Sequence, residues 1–187
     1  MLYKIKFLVK LVGIFIVVVN SFTPTLVSAF ANAEEMRLFR LVNEYRVRNG
    51  LPEIPFSRSL TFVAQMHVRD LNSHPPDGDC NMHSWSSNGS WSSCCYTLDH
   101  ARAQCMWNKP RELTSYPGNG YECVLGGLGQ YQANATSAFE GWKRSRPHNA
   151  VLLNKGIWSK IHWRALGVGI YKNYASLWFG EEADPVP

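Results

Sequence analysis

No stretch constrains this chain more than Ser73 to Gly120, which lacks helical or strand periodicity and is rich in Ser, Pro, Gly, Asn and Trp. Structureless loops beyond about 12–15 residues are uncommon in a compact domain, so something other than local structure must order this one. Cys80, Cys94, Cys95 and Cys105 lie inside it, and Cys123 follows just after. Disulfides supply such order in an oxidising compartment. Five is odd, so at least one thiol is free or pairs between chains. Cys94 and Cys95 are neighbours, and a bridge between them would strain the intervening peptide. The expected pairs are therefore Cys80 with Cys94 or Cys95, and Cys105 with Cys123. No pair has CxxC spacing, which argues against a zinc ribbon or a thioredoxin-type motif.

An oxidising destination requires export, and positions 1–33 read as a signal peptide. Lys4, Lys6 and Lys10 form a basic start, Leu11 to Val19 an apolar core, and small-residue cleavage patterns end at Ala29 and Ala33. The core is short for a span of about 20 residues, and Asn20, Ser21 and Pro24 interrupt it. The segment is thus expected to be cleaved, leaving residues 34–187 as one secreted or periplasmic domain without a membrane span. It also carries much of the formal net charge of +5. Without it, 16 basic residues face 14 acidic ones, a balance of +2. With no dense basic patch interleaved with aromatics, nucleic-acid binding is not expected.

Regular structure is legible on either side of the cysteine-rich stretch. Glu34–Asn49 places Leu38, Leu41, Val42 and Tyr45 on one helical face, with Glu34 and Glu35 at its start and Arg46 and Arg48 near its end. Ser57 is a candidate N-cap for a second helix to about Asn72. Its apolar face runs through Leu60, Val63, Ala64, His67, Val68 and Leu71, so His67 reads as a core histidine rather than a ligand. Tyr121–Leu125 is a short apolar run that carries Glu122. The Gly-rich segment after it lacks the Gly-Lys-Ser/Thr of a phosphate-binding loop. Asn134–Ser145 reads as a third helix, stopped by Pro147, which leaves His148 on a bent segment at a cleft edge. Trp163–Tyr171 and Tyr174–Phe179 read as strands of a hairpin turning at Lys172-Asn173. Helices with an antiparallel sheet make an α+β protein.

Taken in order, several pieces resemble the CAP superfamily (SCP domain) of secreted cysteine-rich and pathogenesis-related proteins, in its bacterial branch. They are LVNEYRVRNGLPEIPFSRSLTFVAQMHVRDL, MHSW around His83, GYEC around Glu122, FEGWKRSRPHNAVLLN around His148, and ALGVGIY with LWFG. The resemblance implies a three-layer α-β-α sandwich with a central antiparallel sheet and a large cleft lined by two histidines and two glutamates. His83 and His148 match the histidines and Glu122 the first glutamate. Ser145 stands where the second glutamate falls, three residues after Trp142, and Cys123 replaces the motif's Asn. Both departures weigh against chemistry that needs all four cleft residues.

Two imidazoles across a cleft can hold zinc or another divalent metal, with Glu122 as a third ligand or as the group that orients one ring. Two histidines, a carboxylate and water also compose a catalytic zinc site, although no HExxH spacing is present. A Ser145–His148 nucleophile pair lacks the Gly-x-Ser-x-Gly elbow. Catalytic residues are accordingly not assigned. Three functions compete: a secreted module binding a small hydrophobic ligand, a peptide or an extracellular protein; a metal-dependent hydrolase using His83, His148 and Glu122; and a structural envelope protein whose contact surface is Trp85, Trp91 and Trp107. The missing second glutamate counts against the hydrolase, and the binding module is the leading expectation.

Overall fold

The computed structural model describes residues 30–186, so the predicted signal segment lies outside the described residues except for Phe30 to Ala33. Helix α1, Ala33–Arg48, opens on a capping box in which Asn32 and Glu35 satisfy each other's backbone N–H groups. Ala31 is buried in the core beside it. A cut after Ala29 leaves this cap in the mature chain; a cut after Ala33 removes it.

Helix α2, Arg58–Ser73, starts at Ser57, whose Oγ accepts from Leu60 N at 3.0 Å. Its predicted apolar face is buried throughout, His67 included. The helix lies across strands β2, Ala165–Tyr171, and β3, Tyr174–Gly180. Two glycines permit that approach. A Cβ at Gly167 would stand 2.1 Å from the Leu60 carbonyl carbon, and one at Gly169 2.6 Å from that of Ala64. Any side chain at either position would push helix from sheet.

The sheet has three antiparallel strands in the order β1-β3-β2, with β1, Tyr121–Gly126, at an edge. Side chains alternate across it. Cys123, Leu177 and Val168 are in register and face one core, together with Leu166 and Phe179. Glu122, Trp178 and Gly167 are in register on the opposite face, toward α2. The first core packs against α1, α5 (Ala135–Arg144) and α6 (Arg146–Leu152). The result is the expected three-layer α-β-α sandwich.

Two expectations about local structure are corrected. Pro147 does not leave His148 on a loop. Helix α5 ends at Arg144, Ser145 turns the chain in an extended conformation, and α6 begins at once with Pro147 in its first turn. Proline costs nothing there, because the first N–H groups of a helix have no partner in any case. His148 therefore sits on a short helix.

The second correction concerns the cysteines. The disulfides are Cys80–Cys95, one of the expected pairings, and Cys94–Cys105. The expected Cys105–Cys123 bridge is not formed, and Cys123 is free and fully buried. Strand alternation is the reason: Cys123 points to the α1/α5 core, while Cys105 packs with Cys94 on the α2 face. The cysteine-rich excursion contains two short helices, α3 (Ala103–Trp107) and α4 (Lys109–Leu113), and an antiparallel bridge between Trp85 and Cys94. Trp85 is not a contact surface. It is 2% exposed and stacks on the His67 ring at 4.4 Å between centroids.

Candidate functional site

Glu122 is the hub of the site. Its position on β1 turns the carboxylate toward α2, where the side chain is fully buried. Oε1 accepts from His67 Nδ1 at 2.5 Å, Ser176 Oγ at 2.6 Å and Trp178 Nε1 at 3.1 Å. Oε2 accepts from His83 Nδ1 at 2.9 Å. Burial alone pushes this carboxyl up, but the His67 charge and the histidine hydrogen bonds outweigh it and hold it at about 2. Glu122 is thus a carboxylate at any ordinary pH.

The charge of His67 follows from its partners. Nδ1 faces a carboxylate oxygen and Nε2 faces the Ser84 carbonyl at 2.9 Å. Both are acceptors, so both ring nitrogens donate and the ring is an imidazolium. Burial lowers its pKa, yet the Glu122 charge and hydrogen bonds raise it by more. His67 and Glu122 form a buried ion pair, and Trp85 stacked on the imidazolium face adds a cation–π contact.

His83 comes from the cysteine-rich excursion. Asn81 Oδ1 fixes its backbone by accepting from His83 N at 2.9 Å, and Cys80–Cys95 staples the chain on either side of it. With Nδ1–H donated to Glu122, the Nε2 of neutral His83 carries the lone pair. His148 is held from the other layer: its Nδ1 meets Ser145 Oγ at 2.8 Å within the first turn of α6. Burial lowers the His148 pKa and the proximity of His83 lowers it further, against the Glu122 charge, which raises it. His148 is therefore neutral at neutral pH.

Both rings line one cavity of about 360 Å³ that opens across the edge strand β1. Tyr96, Trp107, Tyr121 and Trp158 give it aromatic walls, joined by Met106, Val151 and the exposed Ile157. Trp107 and Trp158 flank Tyr121, at centroid distances of 5.8 and 5.3 Å. His100, held in a left-handed conformation at φ 59°, shares a hydrogen bond of 2.8 Å with Tyr96 Oη at the cavity wall.

His83, Glu122 and His148 thus meet at one cavity, and Ser145 stands behind His148 rather than in the lining. Glu122 does not fit the part of a metal ligand, because both of its oxygens are already committed to donors. Among the described residues, no group of three or more His, Cys, Asp or Glu is placed to hold a metal ion. His67 escaped the sequence reading as a partner of Glu122. Two ionisable residues on apolar, core-facing stretches, one on a helix and one on the strand beneath it, were the available signal, since buried charges occur in pairs. Tyr96, His100 and Trp158 gave no signal, because no periodicity assigns them a face, and Trp107, expected as a contact tryptophan of the excursion, lines the cavity.

A three-stranded antiparallel sheet between helical layers, with two histidines meeting over its edge strand, defines a cleft-bearing α-β-α sandwich. The family model for the cysteine-rich secretory protein family matches residues 39–176, and the chain belongs to that family, the CAP superfamily. No curated protein matches it. Among solved structures it is similar to an extracellular protein containing an SCP domain from Bacillus anthracis, at 22% identity and TM-score 0.55, covering 86% of this chain and 44% of that one. A cysteine-rich secretory protein from Staphylococcus aureus is similar at 17% identity and TM-score 0.51, covering 80% of this chain and 39% of that one. An outer surface protein from Borrelia burgdorferi is similar at 13% identity and TM-score 0.53, covering 81% and 96%. The chain therefore spans less than half the length of the first two. No helix among the described residues is long and apolar enough to cross a membrane.

Proposed function

We propose that this chain is a secreted binding protein. Its cleft takes a small, largely apolar ligand, or an apolar side chain of a peptide, carrying one hydrogen-bonding group that meets the His83 and His148 imidazoles. The observation that carries this reading is the cavity itself. Aromatic walls surround two imidazoles, each anchored from behind through Nδ1, so that Nε2 is left for a ligand. A volume of about 360 Å³ with apolar walls and a few placed polar groups is the usual make-up of a small-molecule site. Trp107 and Trp158 make the test direct. Their fluorescence should change saturably with an apolar probe such as an anilinonaphthalene sulfonate. Trp107→Ala and His148→Ala should weaken that binding without unfolding the chain. Probe affinity indifferent to both substitutions would refute the proposal.

A divalent ion on His83 and His148 is a second reading, favoured by the same anchoring: a ring fixed through Nδ1 is set to bind through Nε2. A catalytic zinc site takes three protein ligands, and this donor set offers two nitrogens, so no hydrolytic step is derived from it. Zinc calorimetry decides this reading. It expects binding that is lost in His83→Ala and in His148→Ala, and unchanged affinity in both variants would end it.

A further inference from the structure

Helix α6 is a partition. On one side Pro147, His148 and Val151 line the aromatic cleft; on the other, Arg146, Asn149 and Ala150 line a separate cavity of about 490 Å³. The chain steps from one cavity to the other again between Gly156 and Ile157. The second cavity has a different chemistry. Lys143, Arg146 and Lys155 line it, and no acidic residue does. Lys143 is partly offset by Glu140 at 3.3 Å, whereas Arg146 and Lys155 form no ion pair among the described residues.

A buried charge adds to this. Arg46 is 2% exposed, and its acceptors are the Pro52 carbonyl at 3.1 Å, the Leu152 carbonyl at 2.7 Å and Asn154 Oδ1 at 2.7 Å. All three are neutral. Burial lowers the Arg46 pKa only to about 10, so the guanidinium stays charged. It follows Tyr45 of the cavity wall in the chain and is bonded to Asn154, which precedes Lys155 of the same wall. A charge screened by protein rather than water acts over a longer range than an exposed one. A buried guanidinium with only neutral acceptors thus adjoins a cavity whose charged lining residues are all cations.

We propose that the cavity between α5, α6 and the Lys155-Gly156 turn is an oxyanion site that takes a phosphate ester, its oxygens bonded by Arg146 and Lys155. The site does not depend on what fills the aromatic cleft. Two unpaired cations, with a third partly offset beside them, suit a doubly charged group with several acceptor oxygens better than a single carboxylate.

The test is a titration of the mature chain with inorganic phosphate at constant ionic strength, followed by amide resonances. Saturable shifts are expected at Asn149, Lys155 and Gly156. An Arg146→Gln/Lys155→Gln double variant should weaken the affinity about tenfold or more, as loss of two charge-assisted contacts implies. Lys172→Gln, a control at the distant hairpin, should leave it unchanged. Glycerol 3-phosphate and vesicles containing phosphatidylglycerol separate the two sources of a phosphate ester. Variant-sensitive cosedimentation identifies a lipid headgroup; binding of the free ester without cosedimentation identifies a soluble ligand. Equal shifts from chloride at the same ionic strength, or full affinity in the double variant, overturn the proposal.

Discussion

The two walls of the cleft present the same group, an imidazole anchored through Nδ1, by opposite means. The His148 wall is regular. Two helices meet at Ser145, and one hydroxyl three residues away in the same turn anchors the ring. The His83 wall has almost no regular structure, and its anchor is a carboxylate on another element. That carboxylate is steadied by a buried imidazolium on a third. Two disulfides close the same wall. Where backbone hydrogen bonding positions a residue, one weak side-chain contact completes the job. Where the backbone supplies no such frame, covalent bridges and a buried ion pair take its place.

The sharpest way to break this comparison is to remove half of the ion pair. His67→Ala leaves Glu122 as a buried charge without its counter-ion, and Glu122→Ala does the same to His67. Each should cost about 3–5 kcal/mol in urea unfolding, since an uncompensated buried charge is the dominant penalty. A double-mutant cycle should show strong coupling, and additive costs would mean that the two do not act as a pair. The pair also sets a pH window. Glu122 has a depressed pKa, so its stabilisation is present above the ordinary carboxylate range and is lost as pH falls toward about 2. His67 has a raised pKa, so its stabilisation is complete below the ordinary histidine value and is lost as pH rises through the folded value. Wild type should be relatively more stable than the His67→Ala variant across the mildly acidic range, with the difference shrinking at both ends.

The next effect in size is loss of a staple. Replacing Cys80 and Cys95 together by Ser, or Cys94 and Cys105 together, should each cost about 2–4 kcal/mol. The losses should fall on the His83 wall: amide exchange should quicken between residues 80 and 105 while α5 and α6 keep their protection. Quickening in α6 of the same order would show that the walls are not independent. In either variant Cys123 should resist alkylation until the chain unfolds, because burial pushes its thiol well above the usual range.

The asymmetry also explains what the sequence disclosed. The helices and strands were legible because each writes a period into the chain: Leu38, Val42 and Tyr45 for α1, Leu60, Ala64, His67 and Leu71 for α2. His83 and His148 were recognisable from short motifs whose order resembles the family's. Two of the missing parts depend on which face a residue presents, and a third on which helix a proline belongs to. Spacing alone pairs Cys105 with Cys123 because it carries no sidedness, whereas strand pleating puts Glu122 and Cys123 on opposite faces. Trp85 looked like a surface tryptophan for want of any period around it. Pro147 reads as a stop because a proline that ends one helix and a proline that begins the next look alike in sequence.

The smallest expected effect lies on the regular wall, at Ser145. Ser145→Ala removes one partly exposed hydrogen bond, and such a bond contributes about 0.5–1.5 kcal/mol net. Stability should fall by no more than that, several times less than for Glu122→Ala, because α6 still holds the His148 backbone. The local consequence should be larger than the global one. Without Oγ as a partner for Nδ1, the His148 ring is free to exchange tautomers, which ring-nitrogen chemical shifts report directly. The His83 shifts should stay in place, since Glu122 fixes that ring independently. Ser145→Glu sharpens the same test, because it puts on the helical wall the carboxylate that the family pattern carries there. A carboxylate at Nδ1 favours the charged ring, so the His148 pKa should rise from its lowered value in an NMR titration. If Ser145→Ala instead unfolds the chain as readily as Glu122→Ala, or moves the His83 resonances equally, then the hydroxyl is part of the core network and the two walls are one structure.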